Sequence, residues 1–169
     1  GMFTGCYSLA SVPLFNTAAG TNFTSMFNSC YSLASVPLFN TAAGTNFTSM
    51  FNSCYSLASV PLLNTAAGTN FTTMFSVCYS LTSVPLFVTS GESTNYANMF
   101  STCSSLKSAA LSGTANTISY AFCELSAAEL NKIYTGLATA TKTITVSNNW
   151  GTASDDTTIA TTKNWTVTG

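Results

Sequence analysis

Six thiols recur along this chain at near-constant spacing: Cys6, Cys30, Cys54, Cys78, Cys103 and Cys123. The first five close a Met-Phe-x-x-Cys motif, and the sixth ends a degenerate copy reading YAFCEL. Thiols in such a series can bridge, bind metal or pack. Metal binding lacks ligands, because the chain has no His, no C-x-x-C pair and almost no carboxylate near the cysteines. Equivalent residues in stacked repeats stand about 4.7–4.9 Å apart with parallel Cβ vectors. That is wider than the ~3.8 Å between Cβ atoms that a disulfide prefers. The expectation is a ladder of six reduced, buried thiols that pack as small hydrophobes.

Acid–base chemistry has little to work with. The five acids are Glu92, Glu124, Glu129, Asp155 and Asp156, all in an insertion or towards the C-terminus. They read as solvated loop and helix charges, not as a tuned general acid or base. No catalytic residue, cofactor or metal ligand is therefore assigned, and an enzyme is not expected.

Two further rows could meet a ligand. Tyr7, Tyr31, Tyr55 and Tyr79 each follow a cysteine by one position, where an inward thiol implies an outward ring. Evenly spaced phenols on a neutral, hydroxyl-rich surface suit stacking against sugar rings. Equally, the rings can stack on one another and stiffen the repeats. Asn22, Asn46 and Asn70 each begin an Asn-Phe-Thr triplet, and Asn164 begins Asn-Trp-Thr. These are glycosylation acceptor triplets. The alternative is that the Asn side chain caps the turn that follows it.

Such rows need a scaffold that repeats. Residues 21–44 and 45–68 differ at one position, where Phe39 becomes Leu63. The period is 24 residues until an extra residue enters near Gly91-Glu92. A period in this range means a solenoid whose turns touch only their neighbours. Phe23, Met26, Phe27 and Cys30 follow one another at spacings of three and four, which predicts one or two turns of α- or 3₁₀-helix. Leu33, Val36 and Leu38 fit L-x-x-V-x-L, with Val36 and Leu38 on one face of a short strand. Leu9, Val12, Leu14; Leu57, Val60, Leu62; and Leu81, Val84, Leu86 repeat the pattern, while Leu106, Ala109, Leu111 weaken it. Pro13, Pro37, Pro61 and Pro85 cannot donate to a ladder, so each strand should be short. The AAG at residues 18–20 and 42–44 supplies a glycine where the chain turns back. Short helix then strand at this length is the leucine-rich-repeat plan.

The motif M-F-x-x-C-x-x-L-x-x-V-P-L-F, as in MFNSCYSLASVPLF from Met26 to Phe39, resembles the BspA-type leucine-rich repeats of bacterial surface proteins and phage structural proteins. The likeness covers residues 1 to about 125. It implies an α/β repeat solenoid with one parallel β-sheet face and short helical turns on the other. Residues 126–169 resemble the closing segment of such arrays, with a helix near Ala127 to Leu137 and strands at Thr143–Val146 and Trp165–Thr168. The likeness also implies adhesive or structural roles outside the cell, at a cell surface or on a virion.

Composition limits the partners. Charged residues are 5% of the chain, none precedes Glu92, and there is no Arg. So few cations cannot neutralise a row of phosphates, which excludes nucleic acid as a partner class. No apolar run reaches the ~20 residues of a membrane span. The chain opens at Gly1-Met2-Phe3, within a repeat, and is read as a fragment, so a missing leader carries no information. The N-terminal face, Gly1 to Leu14, has apolar residues and no polar cap, so further repeats or a neighbouring subunit should cover it. A surface or phage fibre, or a virion decoration, is the first functional expectation. A module that binds a glycan or cell-surface receptor through the tyrosines is the alternative.

Overall fold

The computed structural model describes residues 1–85, 87–88, 94–109 and 111–169. Leu86, and the extra residue placed near Gly91-Glu92, lie outside the described residues.

Residues 23–30 form consecutive reverse turns, not a helix. Met26, Asn28 and Cys30 donate their amides to the carbonyls of Phe23, Ser25 and Phe27, three residues back. The alternate amides point outward. Phe23, Ser25, Phe27 and Ser29 donate to the carbonyls of Asn46, Thr48, Met50 and Asn52 in the next repeat, at 2.8 or 2.9 Å. One amide closes the local turn and the next binds the neighbouring repeat, which satisfies the backbone without helix or strand. The alternation needs left-handed residues, and Ser25 and Ser29 supply them at φ 53° and 60°. A turn ribbon keeps side chains at spacings of three and four, so the apolar periodicity was read correctly and its helical interpretation was not. Among the described residues, no α-helix precedes Ala127.

The V-P-L-F segment also departs from the strand expectation. Val36 and Phe39 are buried, whereas Leu38 is 61% exposed. Leu62 is 62% exposed beside the buried Leu63, and Leu14 is 66% exposed. In these first three repeats inward positions thus fall three apart around the proline, and no period-two strand forms there. At the weakened copy Ala109 and Leu111 are both buried, and Leu111 opens a strand as expected. Pairing survives upstream of the proline, where Ala34 donates to Ala10 and Ala58 to Ala34. It also survives at the isolated parallel bridges Ser59–Ser83 and Ser83–Ser108.

Regular elements gather towards the C-terminus. Strand β1 (Phe87–Val88) pairs in parallel with β2 (Leu111–Ser112). Strands β3 (Ile118–Ser119), β4 (Lys142–Thr145) and β5 (Trp165–Thr168) form a three-stranded parallel sheet. Parallel bridges Asn22–Asn46–Asn70–Asn95 and Tyr96–Ile118 lead into that sheet. Its strands therefore continue the Asn-Phe line of the repeats and not the L-x-x-V-P-L line. Helix α1 (Ala127–Gly136) starts at the N-cap Ser126, whose side chain accepts the Glu129 amide. Its last carbonyls, Tyr134, Thr135 and Leu137, accept from the ammonium of Lys163. A cation there suits the negative end of the helix dipole. Helix α2 (Thr158–Thr161) packs between α1 and β5.

The core is a set of aromatic columns. Phe3, Phe27, Phe51, Phe75, Phe100 and Tyr120 stack at 5.1–5.8 Å between neighbouring centroids. Phe23, Phe47, Phe71 and Tyr96 form a second column. Gly20 and Gly44 make room for this second column. A Cβ at Gly44 would stand 2.6 Å from the Phe47 ring and 2.8 Å from the Phe23 ring. Neither glycine has a left-handed φ, so the AAG glycine serves close approach and not turn geometry. Trp165 is buried at the C-terminal end, while Trp150 is 77% exposed. At the N-terminal end Phe3 and Leu9 are half-buried and Met2 is 72% exposed.

Candidate functional site

The tyrosine row is continuous. Ring centroids are 4.7 Å apart for Tyr7–Tyr31, 4.4 Å for Tyr31–Tyr55 and 5.1 Å for Tyr55–Tyr79. Tyr31 and Tyr55 are nearly parallel, at 5° between planes. Each ring covers its neighbour's face, so the row presents edges and hydroxyls. Tyr7 and Tyr79 are the exposed members, and Tyr31 and Tyr55 are half-buried. Lost hydration, then the Tyr31 and Tyr79 phenols nearby, hold the Tyr55 phenol above its ordinary range.

The asparagine row is turned inward at its oxygen. Asn22, Asn46 and Asn70 accept the amides of Thr24, Thr48 and Thr72 at 2.9–3.0 Å. The hydroxyls of Thr48 and Thr72 donate to the same oxygens at 2.7 Å. This is the Asx turn that launches each turn ribbon. The acceptor triplet is therefore also a structural clasp. Asn164 is exposed, at φ 66°.

The thiols split five to one. Cys30, Cys54, Cys78, Cys103 and Cys123 are buried, whereas Cys6 is exposed, and all six are free. The expectation of six buried thiols fails at Cys6, which sits in the terminal repeat with nothing stacked on its outer side. Every buried thiol lies 3.0–3.2 Å from a Phe carbonyl in the preceding repeat. Burial pushes the Cys54 and Cys123 thiols up to about 12. Burial raises Cys78 and Cys103 as well, with the neighbouring thiols adding to it. Such thiols stay protonated and are poor nucleophiles.

The described carboxylates are spread out. Glu124 pairs with Lys107 at 3.4 Å and Glu129 with Lys132 at 3.5 Å. Asp155 accepts from Tyr134, whose hydroxyl is pushed up by burial and by that bond, and Asp156 accepts from Thr158. Glu92 lies outside the described residues. Among the described residues no three His, Cys, Asp or Glu side chains cluster as a metal site would require.

One surface feature escaped the sequence reading. Leu14, Leu38 and Leu62 form an exposed apolar row with shallow grooves between them, bordered by Asn40 and Asn64. The proline preceding each leucine was the available signal, since it breaks the alternation that would turn the leucine inward.

Repeats that exchange backbone bonds, side-chain bonds and ring contacts with their neighbours define a stacked-repeat protein with an α/β C-terminal part. Residues 1–113 match a family described as "Mycoplasma protein of unknown function, DUF285", and the chain belongs to that family. No curated protein matches the chain significantly, and no solved structure does. Among the described residues no helix is long and apolar enough to cross a membrane.

Proposed function

We propose that this chain is a segment of an extracellular, non-enzymatic structural or adhesive protein, built as a BspA-like leucine-rich-repeat solenoid. The supporting observation is the alternate-amide ladder from Phe23–Ser29 to Asn46–Asn52, because it commits each repeat's hydrogen bonds to the next repeat. Polar side chains add to the same direction: Thr17 and Thr41 donate across repeats to the carbonyls of Asn40 and Asn64. A rod made this way can be lengthened by copying a unit, as suits a surface fibre, a phage fibre or a virion decoration. The exposed N-terminal face is the place for another repeat, from this chain or from a neighbouring subunit.

The test is to insert one further copy of residues 21–44 after Gly44. A nearest-neighbour array gains one interface per added unit, so the variant should fold and unfold at a higher denaturant midpoint. A variant that fails to fold, or is less stable, would overturn the solenoid reading. The adhesive role is checked by attaching the protein to beads and measuring capture by cell surfaces. Beads that bind no better than uncoated ones would leave only the structural half.

A second reading is a carbohydrate- or receptor-binding module, favoured by the exposed rings of Tyr7 and Tyr79. Its ligand would lie along ring edges and phenol hydroxyls, since the inner faces are stacked. Glycan-array binding that disappears with Tyr7→Ala and Tyr79→Ala would support it. Binding that persists in both variants would exclude this row.

A further inference from the structure

We propose that the tyrosine row is a site of oxidative cross-linking, at which a peroxidase-type one-electron oxidant with hydrogen peroxide joins Tyr31 to Tyr55 through a carbon–carbon bond. The two rings are the closest aromatic pair in the chain's tyrosine row and are almost parallel, at 4.4 Å and 5°. The two rings are therefore in face contact, each with two carbons ortho to its hydroxyl. These are the positions where a phenoxyl radical carries spin and couples. The row is reachable from water at its hydroxyl edge, with Tyr7 57% and Tyr79 43% exposed at its two ends. An electron removed at either end is within ring contact of the next phenol along the row.

The chemistry balances as follows. Each phenol gives up one electron and its hydroxyl proton and becomes a phenoxyl radical. The two radicals form one bond between ortho carbons, and each ortho hydrogen then moves to oxygen as the ring regains aromaticity. Two phenols thus lose two hydrogens in total, and one hydrogen peroxide takes them up as two waters.

The fold decides the partner. Side chains held in contact within one chain see each other at millimolar or higher effective concentration, so at micromolar protein the internal link should outrun links between molecules roughly a thousandfold. Tyr96, Tyr120 and Tyr134 are buried and serve as internal controls. The product ties one repeat to the next covalently at the solvent edge, opposite in character to the buried, reduced thiols beside it.

The experiment treats the full chain at micromolar concentration with a peroxidase and hydrogen peroxide. Intact mass and dityrosine fluorescence are then read. The expected result is monomer lighter by two hydrogens with dityrosine fluorescence. Residues 21–44 and 45–68 differ only at Phe39/Leu63, so peptides that stop short of that position have the same mass for Tyr31 and Tyr55, and substitutions map the link. Tyr31→Phe and Tyr55→Phe keep a ring in the stack, and each should cut the intramolecular yield at least several-fold. Tyr134→Phe should leave the yield unchanged. Unfolding the wild-type chain in urea before oxidation should reduce the yield to that of a disordered chain. Cross-links only between molecules, an undiminished yield in the Tyr31→Phe, Tyr55→Phe double variant, or an equal yield in urea would each overturn the proposal. None of these outcomes depends on whether the chain adheres to a surface.

Discussion

The thiol of Cys54 donates to the carbonyl oxygen of Phe27, 3.1 Å away in the preceding repeat. That oxygen already accepts the Cys30 amide, so one carbonyl serves a local turn and the next repeat's side chain together. A thiol is a weak donor, and here it is a fully buried one. The cysteine row thus holds repeats in register through protonated sulfur, without disulfides.

Alkali should therefore loosen the fold. The ordinary thiol value is 9.0, and Cys54 and Cys123 are pushed up to about 12. The folded state holds these protons more tightly than the unfolded chain does. Their contribution is complete below about pH 9 and is lost as pH rises towards 12. Within that window each thiol can remove up to about 1.4 kcal/mol per pH unit. Urea midpoints should be flat below pH 8 to 9 and fall above it, less steeply in Cys54→Ala. Midpoints that do not fall by pH 10.5 would refute the buried-thiol account. An alkylating reagent at neutral pH should label Cys6 alone in the folded protein.

Two adjacent leucines separate the observed repeat from a strand. Leu62 is 62% exposed and Leu63 is 2% exposed. Leu63→Ala should cost about 2–5 kcal/mol, the range for emptying a buried leucine site. Leu62→Ala should fall within about 0.5 kcal/mol of wild type, as surface changes do. Chemical denaturation of the pair gives the ranking, and the reverse order would restore the period-two strand.

How far the sequence could be read follows from such pairs. The Phe27, Cys30 and Leu33 positions were legible because burial recurs with the period, whatever the backbone does. The C-terminal helix was expected from the family resemblance alone, although Ser126-x-x-Glu129 is a capping pattern that marks where α1 begins. The turn ribbon was not, since it shares its three-and-four spacing with a helix. A signal was present all the same. The Ser25 position is Gly1 in the first repeat and Asn98 in the fifth, and the Ser29 position is Gly5 in the first. Those are the residues that tolerate a left-handed backbone. The tyrosine row was found from spacing, but face-to-face stacking needed the repeat geometry.

Left-handed positions in the fourth repeat carry the wrong residues. Thr73 stands at φ 52° and Val77 at φ 63°, and a β-branched side chain is strained there. In the second and third repeats the equivalents of Thr73 are Ser25 and Ser49, both at φ 53°, and those of Val77 are Ser29 and Ser53 at φ 60° and 58°. Val77 is half-buried and its amide donates to Ser101, so the backbone is held in place. Val77→Asn should raise stability by about 1 kcal/mol, because a left-handed backbone costs an L residue about 1–2 kcal/mol and Asn less. By the same logic Ser25→Ala, although off the apolar stripe, should be mildly destabilising and not neutral. A thermal melt in which Val77→Asn unfolds earlier than wild type would refute the strain.

Asn149 gives the sharpest test of the C-terminal part. Its carboxamide is buried and fully used: the oxygen accepts the Leu125 amide at 2.9 Å, and the nitrogen donates to Tyr120 and Val146 carbonyls at 2.8 Å each. Those three partners flank β3, the start of α1 and the end of β4, so one side chain ties the sheet to the helix entry. Asn149→Asp keeps the shape but replaces two donors with an acceptor that faces two carbonyls. Asn149→Leu keeps much of the volume and leaves an amide and two carbonyls unmatched. Each unmatched buried group costs about 1–3 kcal/mol, so either change should remove at least about 3 kcal/mol. Asn148→Ala, one residue earlier and exposed at φ 60°, should cost far less, about 1 kcal/mol from its backbone alone. Urea denaturation followed by Trp165 fluorescence reads this end of the chain directly, because that ring is buried and donates its indole N–H to Ala138 at 2.8 Å. Asn149→Asp and Asn148→Ala with equal midpoints would mean that the carboxamide is not the tie between sheet and helix.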